Sequence, residues 1–258
     1  MDEVNARLFE IFLEVQRGLP RQGPGNNECT LQALSLCTSL PDSPVILDIG
    51  CGPGMQTIAL AKACRGNLTA VDNYDEYLEI LHQRVTEAEL MDRVKIINAD
   101  MSDLYFANAS FDLIWCEGAA YIMGVPDALK TWRPLLRDHG VLAFTELVWL
   151  EENRPTEVAE FFGNEYPAMT NSSSIKDMIQ SAGYEIIGDF TLPDAAWWED
   201  YYTPLLAKLP TLKQKYAEDA EALAIISMTE NEIECRRRFG NSYGYQFFIA
   251  RKKHEQSR

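Results

Sequence analysis

The sequence predicts an α/β fold built on a doubly wound, mostly parallel sheet of seven strands. Three observations carry that expectation. Short, nearly continuous apolar runs recur along the chain, beginning with Val45-Ile46-Leu47-Asp48-Ile49, as in parallel strands buried on both faces. These runs alternate with segments of helical period, which implies right-handed crossovers. The first run also enters a glycine-rich turn, Gly50 to Gly54, that opens a helix.

Taken in order, Val4, Leu8, Ile11, Phe12 and Val15 recur at helical spacing and predict an amphipathic helix over roughly 5–16. Gly and Pro punctuate 18–27 as a loop, and 30–39 reads as a second short helix. After the first strand come a helix at 55–63, a strand at 68–71, and a helix marked by Tyr77, Ile80, Leu81, Val85 and Ala88. Strands follow at 94–98 and 113–116, a helix at 127–136, and a fifth strand at 141–148. A helix at 174–182 ends at Gly183, and a sixth strand covers 184–191. The stretch 197–239 is helical in pattern, with a break expected at Pro210, and 245–250 is the last strand. The tail 252–258 reads as disordered. The expected organisation is one domain over 1–258: a helical lid (1–40), a cofactor-binding half (41–150), and an acceptor-side half with cap insertions (151–258).

Composition narrows the function classes. The 23 basic and 39 acidic residues give a formal charge of −16, which opposes nucleic-acid backbones and anionic membranes alike. Such a field tolerates a neutral or cationic small molecule. The six cysteines include no C-x-x-C pair, and no metal site is expected. Neither a secretory leader nor an apolar run of membrane-spanning length stands out, so the cytoplasm is the expected compartment. A monomer or homodimer fits.

The chemistry centres on Asp48-Ile49-Gly50-Cys51-Gly52-Pro53-Gly54. Glycine allows the sharp turn and lets a ligand approach the backbone without meeting a Cβ. The spacing is G-x-G-x-G, one residue shorter than the dinucleotide fingerprint, and no phosphate-loop lysine follows. Asp48, two positions before the first glycine, suits a ligand with a cationic amino group rather than a pyrophosphate. Asp72 lies eighteen positions after Gly54, at the tip of the second strand, where an acid accepts from ribose hydroxyls; Asn73 follows it. Asp100 and Met101 close the third strand, placed to accept from an adenine amino group and to cover the ring. Three successive strand ends are where α/β sheets bind ligands.

At these residues the chain resembles the class I S-adenosylmethionine-dependent methyltransferases, whose first motif is D-x-G-x-G-x-G. Phe111-Asp112-Leu113-Ile114 and Trp132-Arg133-Pro134-Leu135-Leu136 are similar to segments of the small-molecule branch that includes the ubiquinone and menaquinone methyltransferases. Where that branch has a Pro-Gly-Gly turn, this chain has Asp138-His139-Gly140. The resemblance implies a Rossmann-like fold and methyl transfer from S-adenosylmethionine to a small acceptor, leaving S-adenosylhomocysteine. It implies that Asp48, Gly50, Gly52 and Gly54 hold the methionine part, Asp72 the ribose, and Asp100 with Met101 the adenine. Two alternatives stay open: a cofactor-binding protein without turnover, and an NAD(P)-dependent oxidoreductase, which the glycine spacing disfavours.

Methyl transfer requires alignment of the nucleophile, exclusion of water and, for a protonated acceptor, a base. Candidates for that role are Glu117, just past the fourth strand, Tyr121 near it, and Glu146 inside the fifth. Glu117 is equally placed to touch the cofactor, or to act as a cap or surface acid. Trp149, Trp197, Trp198 and Tyr201 are candidates for an aromatic acceptor pocket, or for packing of the cap. Arg21 and Gln22, in the loop before the fold, are candidates to meet the cofactor's carboxylate.

Overall fold

The computed structural model describes residues 3–254, with side chains from Arg7 to His254. The elements are α1 (Glu3–Gln16), α2 (Asn27–Leu36), β1 (Val45–Ile49), α3 (Met55–Ala63), β2 (Asn67–Asp72), α4 (Asp75–Glu87), β3 (Val94–Asn98), β4 (Phe111–Cys116), α5 (Val125–Trp132) and β5 (Leu136–Trp149). There follow α6 (Thr156–Glu165), β6 (Thr170–Asn171), α7 (Ser172–Ser181), β7 (Tyr184–Thr191), α8 (Ala195–Trp197), α9 (Thr203–Lys215), α10 (Ala220–Phe239) and β8 (Tyr243–Lys252).

The strands form one mostly parallel sheet in the order β3-β2-β1-β4-β5-β8-β7, with β8 antiparallel to both its neighbours and the two-residue β6 added beside β5. The sheet therefore has eight strands, the seven expected and β6, which is too short to leave a periodic signal. Adjacent tips align: Ile49 pairs with Val71, Asp72 with Asn98, and Cys116 with Phe144. The loops after β1 to β4 thus open at one edge.

Both faces of the sheet are buried, as the continuous apolar runs require. One face packs Leu60 and Ala61 of α3, Leu78, Leu81 and Val85 of α4, and Ala33 of α2 against Ile46, Leu68, Ala70, Leu113 and Trp115. The other packs Ala128, Leu129 and Trp132 of α5 and Ile175 and Ile179 of α7 against Leu47, Ile49, Ile114 and Phe144. A third apolar cluster lies in the cap, where Val15 and Leu19 meet Trp197, Tyr202, Leu205 and Ile226. Lys208 anchors α1 there, donating to the carbonyls of Glu14 (3.0 Å) and Val15 (2.8 Å). A cation at a helix C-terminus satisfies orphan carbonyls and complements the dipole.

Some boundaries differ from expectation. The helix expected to break at Pro210 runs through it as α9, and the break falls at 216–219 instead. Pro210 lies in the interior of α9, and the helix continues past it to Lys215. The tail expected to be disordered from Lys252 begins later, since Lys252 closes β8 and its Nζ donates to the Leu136 carbonyl at 2.7 Å; residues 255–258 lie outside the described residues. Helix α5 ends at Trp132 and passes into a 3₁₀ turn over Arg133–Leu135. His139 takes a left-handed φ of 63°, at the position where the Pro-Gly-Gly turn of the similar branch has a glycine. Helix α6 had no expected counterpart. Among the described residues, no helix is long and apolar enough to cross a membrane.

Candidate functional site

The glycine turn is wound onto the tip of β2. The Gly50 and Cys51 amides both donate to the Val71 carbonyl, at 2.8 and 3.0 Å. The Gly52 amide donates to Asp72 Oδ2 at 2.9 Å, and the Tyr74 amide to Asp72 Oδ1 at 3.0 Å. Asp72 thus braces the loop while its carboxylate keeps lone pairs on the cavity side. Gly50 has φ 68°, and a Cβ there would stand 2.6 Å from the Ala119 Cβ, so only glycine fits between the two loops.

Around this turn lies a cavity of about 540 Å³ at the strand-tip edge. That size suits a cofactor with an acceptor beside it. Gly50, Cys51, Gly52 and Pro53 form one wall; Val71, Asp72 and Asn73 the next; Ala99 and Met101 a third; Glu117, Gly118, Ala119 and Tyr121 a fourth. Residues 20–24, together with Phe9, Phe12, Leu13 and Gln16 of α1, close it from above. A larger, shallower depression of about 780 Å³ lies between α5 and α7, lined by Lys130, Arg133 and Asp177, with none of the strand-tip residues.

Seven of the residues singled out for the cofactor meet at this cavity: Gln22, Gly50, Gly52, Asp72, Asn73, Met101 and Glu117. Three others stand elsewhere. Asp48 is fully buried beneath the turn, where Oδ2 accepts from the Thr57 hydroxyl at 2.6 Å and Oδ1 has no partner. Burial pushes its carboxyl up to about 7, against the pull of Thr57. Gly54, φ 84°, caps α3, and a Cβ there would stand 2.1 Å from Leu81 Cδ1, so this glycine serves helix–helix contact. Asp100 is exposed and accepts from the amide and hydroxyl of Ser102 at 2.8 and 2.6 Å, which holds its carboxyl below the usual range. The third strand's contribution to the cavity is its apolar pair, Ala99 and Met101.

Glu117 is held from three sides. Arg21 Nη1 donates to Oε2 at 2.8 Å, while the Thr30 hydroxyl and Trp115 Nε1 donate to Oε1 at 2.7 and 2.9 Å. The side chains of Arg21 and Glu117 are only 5% and 6% exposed, so the pair is nearly desolvated. Arg21 also donates to Asn27 at 3.0 Å and Thr30 at 3.3 Å. With its acceptor sites taken by three donors, Glu117 fastens the 20–30 segment across the cavity. Next to Arg21, Gln22 accepts from the Tyr77 hydroxyl at 2.7 Å.

Tyr121 lines the cavity at the turn after β4, and Glu146, within β5, does not. Glu146 lies two residues past Phe144, which pairs with the last residue of β4, and is 2% exposed. Its Oε1 accepts from the Leu147 amide at 3.1 Å and its Oε2 is buried without a hydrogen-bond partner. Burial raises its carboxyl to about 7, opposed by hydrogen bonding with Tyr166. Tyr166 meets Tyr121 edge-on at 5.7 Å. The aromatic candidates pack within the cap and line no part of the cavity: Trp197 contacts Tyr202 and carries the Arg236 guanidinium at 4.0 Å, Trp149 packs on Phe162 and Arg154, and Trp198 and Tyr201 pack on Tyr202. The cavity's own aromatic residues include Tyr77 and Tyr245, which no local motif marks.

Sheet order, glycine turn and strand-tip cavity together make a Rossmann-like α/β architecture with a ligand cavity at its strand ends. Residues 46–140 match the family described as the methyltransferase domain. The chain is 32% identical over 106 residues to the 27-O-demethylrifamycin SV methyltransferase of Amycolatopsis mediterranei, covering 40% of this chain and 38% of that protein. It is 33% identical over 115 residues to the demethylmenaquinone methyltransferase of Staphylococcus aureus, covering 43% and 44%. These matches span less than half the length of either relative. A solved Geobacter sulfurreducens methyltransferase, in complex with S-adenosyl-L-homocysteine, superposes with a TM-score of 0.77 at 20% identity, covering 95% of this chain and 97% of that one.

Proposed function

We propose that the protein transfers a methyl group from S-adenosylmethionine to a small-molecule acceptor. The observation that carries this is one cavity that joins a Cβ-free glycine wall, the Asp72 carboxylate and the apolar pair Ala99 and Met101 to an acceptor side at Glu117 to Tyr121. The residues fit that cofactor: Asp72 accepts from ribose hydroxyls, Met101 and Ala99 cover the adenine, and the glycine turn receives the methionine part, with Asp48 bracing it from beneath. S-adenosylmethionine, when bound, supplies a methyl already activated by its sulfonium. The chain's own residues orient the acceptor and exclude water. The N-terminal lid, fastened by Arg21 to Glu117, provides the exclusion.

In this reading Glu117 is a positioning residue, and Glu146 with Tyr121 is the group able to hold a proton on the acceptor side. Residues 1–258 act as one unit: lid 1–40, cofactor half 41–150, acceptor half 151–258. The charge of −16 supports a free small molecule as partner rather than nucleic acid, and the proposed setting is the cytoplasm, as a monomer or homodimer. Calorimetry tests the assignment. S-adenosylhomocysteine is expected to bind with NAD and ATP at least a hundredfold weaker; tight NAD binding with no response to S-adenosylhomocysteine overturns it.

A further inference from the structure

Beyond the cofactor walls, the cavity ends against a group of polar side chains the cofactor does not account for. Gln16, at the end of α1, lines the cavity, is 4% exposed, and leaves its Oε1 without a hydrogen-bond partner. A buried acceptor left unpaired forfeits the hydrogen bond it had to water, so the position calls for a donor from a ligand. Tyr121 and Tyr245 line the same space. Tyr201 is a near neighbour of Gln16.

Two carboxyl groups outside the cavity lining bear on these hydroxyls. Glu146 and Glu232 both act electrostatically on Tyr121 and Tyr245. Glu232 accepts from the Tyr202 hydroxyl at 2.7 Å, and Glu146 is engaged only by Leu147 and Tyr166. Among the described residues, no ion pair to Lys or Arg is found for either one. Three guanidiniums lie in or near this region, each engaged elsewhere: Arg21 by Glu117; the half-buried Arg84 by the carbonyls of Pro20 and Pro53 at 3.2 and 2.8 Å; and Arg236, buried in the cap one turn of α10 from Glu232, by Asp194 and the Tyr243 carbonyl, both at 2.9 Å. An aromatic, hydroxyl-rich end with a free amide oxygen, backed by two carboxyl groups that lack an ion-pair partner, offers acceptors, and negative potential as the carboxyls ionise, with no cation in its lining. The rim is apolar: Phe9, Phe12 and Ile122 line it and are 45%, 44% and 64% exposed.

We propose that this end of the cavity is the binding site for an amine acceptor, held as its ammonium by Gln16 Oε1 and the hydroxyls of Tyr121 and Tyr245, within the field of Glu146 and Glu232, with its apolar body at the rim. Ammonium groups take up to three acceptors and gain from aromatic faces. An alcohol or phenol of the same shape takes the same space, but it leaves the two carboxylates without a counter-charge. The inference rests on the methyltransferase reading for its use and on the cavity alone for its binding.

Binding of 2-phenylethylamine, tryptamine and N-methyl-2-phenylethylamine is therefore to be measured by calorimetry, against 2-phenylethanol and 3-(2-hydroxyethyl)indole. The measurements use the full-length protein, with and without S-adenosylhomocysteine. At least one amine is expected to bind ten-fold or more tightly than its alcohol counterpart. The double variant E146Q/E232Q, checked for folding by circular dichroism, is expected to lose that preference and keep its affinity for S-adenosylhomocysteine. Single E146Q and E232Q variants, each expected to lose several-fold, serve if the double variant does not fold. Alcohols binding as tightly as amines, or an amine preference untouched by these variants, overturn the proposal. Absence of S-adenosylhomocysteine binding overturns the methyltransferase reading instead and leaves the amine measurement standing.

Discussion

The cofactor half and the acceptor half of the cavity are built in opposite ways. The cofactor walls come from consecutive strand tips, β1 to β3, and their side chains sit within a few residues of a buried apolar run. The acceptor end and the lid over the cavity are assembled from α1, the 20–30 loop, the turn after β4, and Tyr245 of β8, residues up to 236 positions apart in sequence (Phe9 to Tyr245). A strand tip fixes its residues by backbone pairing. A lid and a cap must be fastened by side chains, and here the fastening is ionic and buried. The difference teaches that one half is rigid by topology and the other only while its polar contacts hold.

The most severe way to break that arrangement is to cut the fastening. Arg21→Met removes one partner of a nearly desolvated pair and leaves Glu117 with only Thr30 and Trp115. Removal of one partner of a buried pair typically costs about 3–5 kcal/mol. Denaturant unfolding of Arg21→Met is expected to show a loss at the low end of that range, and the double variant R21M/E117Q to recover much of it. A loss below about 1 kcal/mol removes the fastening role.

A second comparison sits inside the cofactor half, between two glycines of one motif. Gly54→Ala places a Cβ 2.1 Å from Leu81 Cδ1 at a φ of 84°, so both overpacking and the left-handed backbone count against it. Together these cost roughly 2–4 kcal/mol of stability. Gly50→Ala, with φ 68° and a Cβ 2.6 Å from that of Ala119, carries the same two penalties but at the cavity wall, so it is expected to weaken S-adenosylhomocysteine binding in the folded variant where Gly54→Ala does not. Equal effects of the two variants on binding, measured by calorimetry, undo the separation of roles.

Asp72 sharpens the same half. Asp72→Ala removes charge-assisted acceptance from the ribose and the bracing of the Gly52 amide. A loss of roughly 1.5–3 kcal/mol in S-adenosylhomocysteine binding is expected, with the fold retained. Unchanged affinity in a folded variant excludes the ribose role.

How much of this was legible in the sequence follows the same division. The strands, the glycine turn and Asp72 were legible because parallel strands and tight turns impose local patterns: apolar runs, positive-φ glycines, an acid at a tip. Asp48, Gly54 and Asp100 carry the motif, yet they stand off the cavity. A motif registers a position along the chain and not the direction of a side chain, and Thr57, Leu81 and Ser102 are what engage those three residues. Trp149, Trp197, Trp198 and Tyr201 have the chemistry of a pocket, but they are used as cap core, since large aromatic residues are the cheapest way to fill a helical layer. Gln16 and Tyr245 were invisible because only tertiary contact brings them together. Pro210 misled because its helix runs on through it.

The smallest effect concerns Asp48 and the pH dependence of stability. Its carboxyl is raised from 3.8 to about 7 by burial, with the unpaired Oδ1 as the structural sign of that cost. Below the ordinary carboxylate range, folded and unfolded chains both carry the proton, and the stability linked to it is fully present. As pH rises toward 7 the unfolded chain gives up the proton while the folded chain keeps it, so stability falls, and the loss is complete above about 7. Glu146, raised to about 7 as well, contributes with the same sign. Asp100 and Glu185, whose carboxyls are lowered, act with the opposite sign but in the acid range, below this window. Each raised group contributes a slope on the order of 1 kcal/mol per pH unit within the window. Unfolding measured at pH 5.5 and 6.5 is therefore expected to show the wild type losing stability with rising pH. Asp48→Asn, which keeps the acceptor for Thr57 but cannot ionise, is expected to lose about 1 kcal/mol less over that interval. Parallel pH profiles for the two proteins place the Asp48 proton outside this window and remove buried charge from the account of the cofactor half.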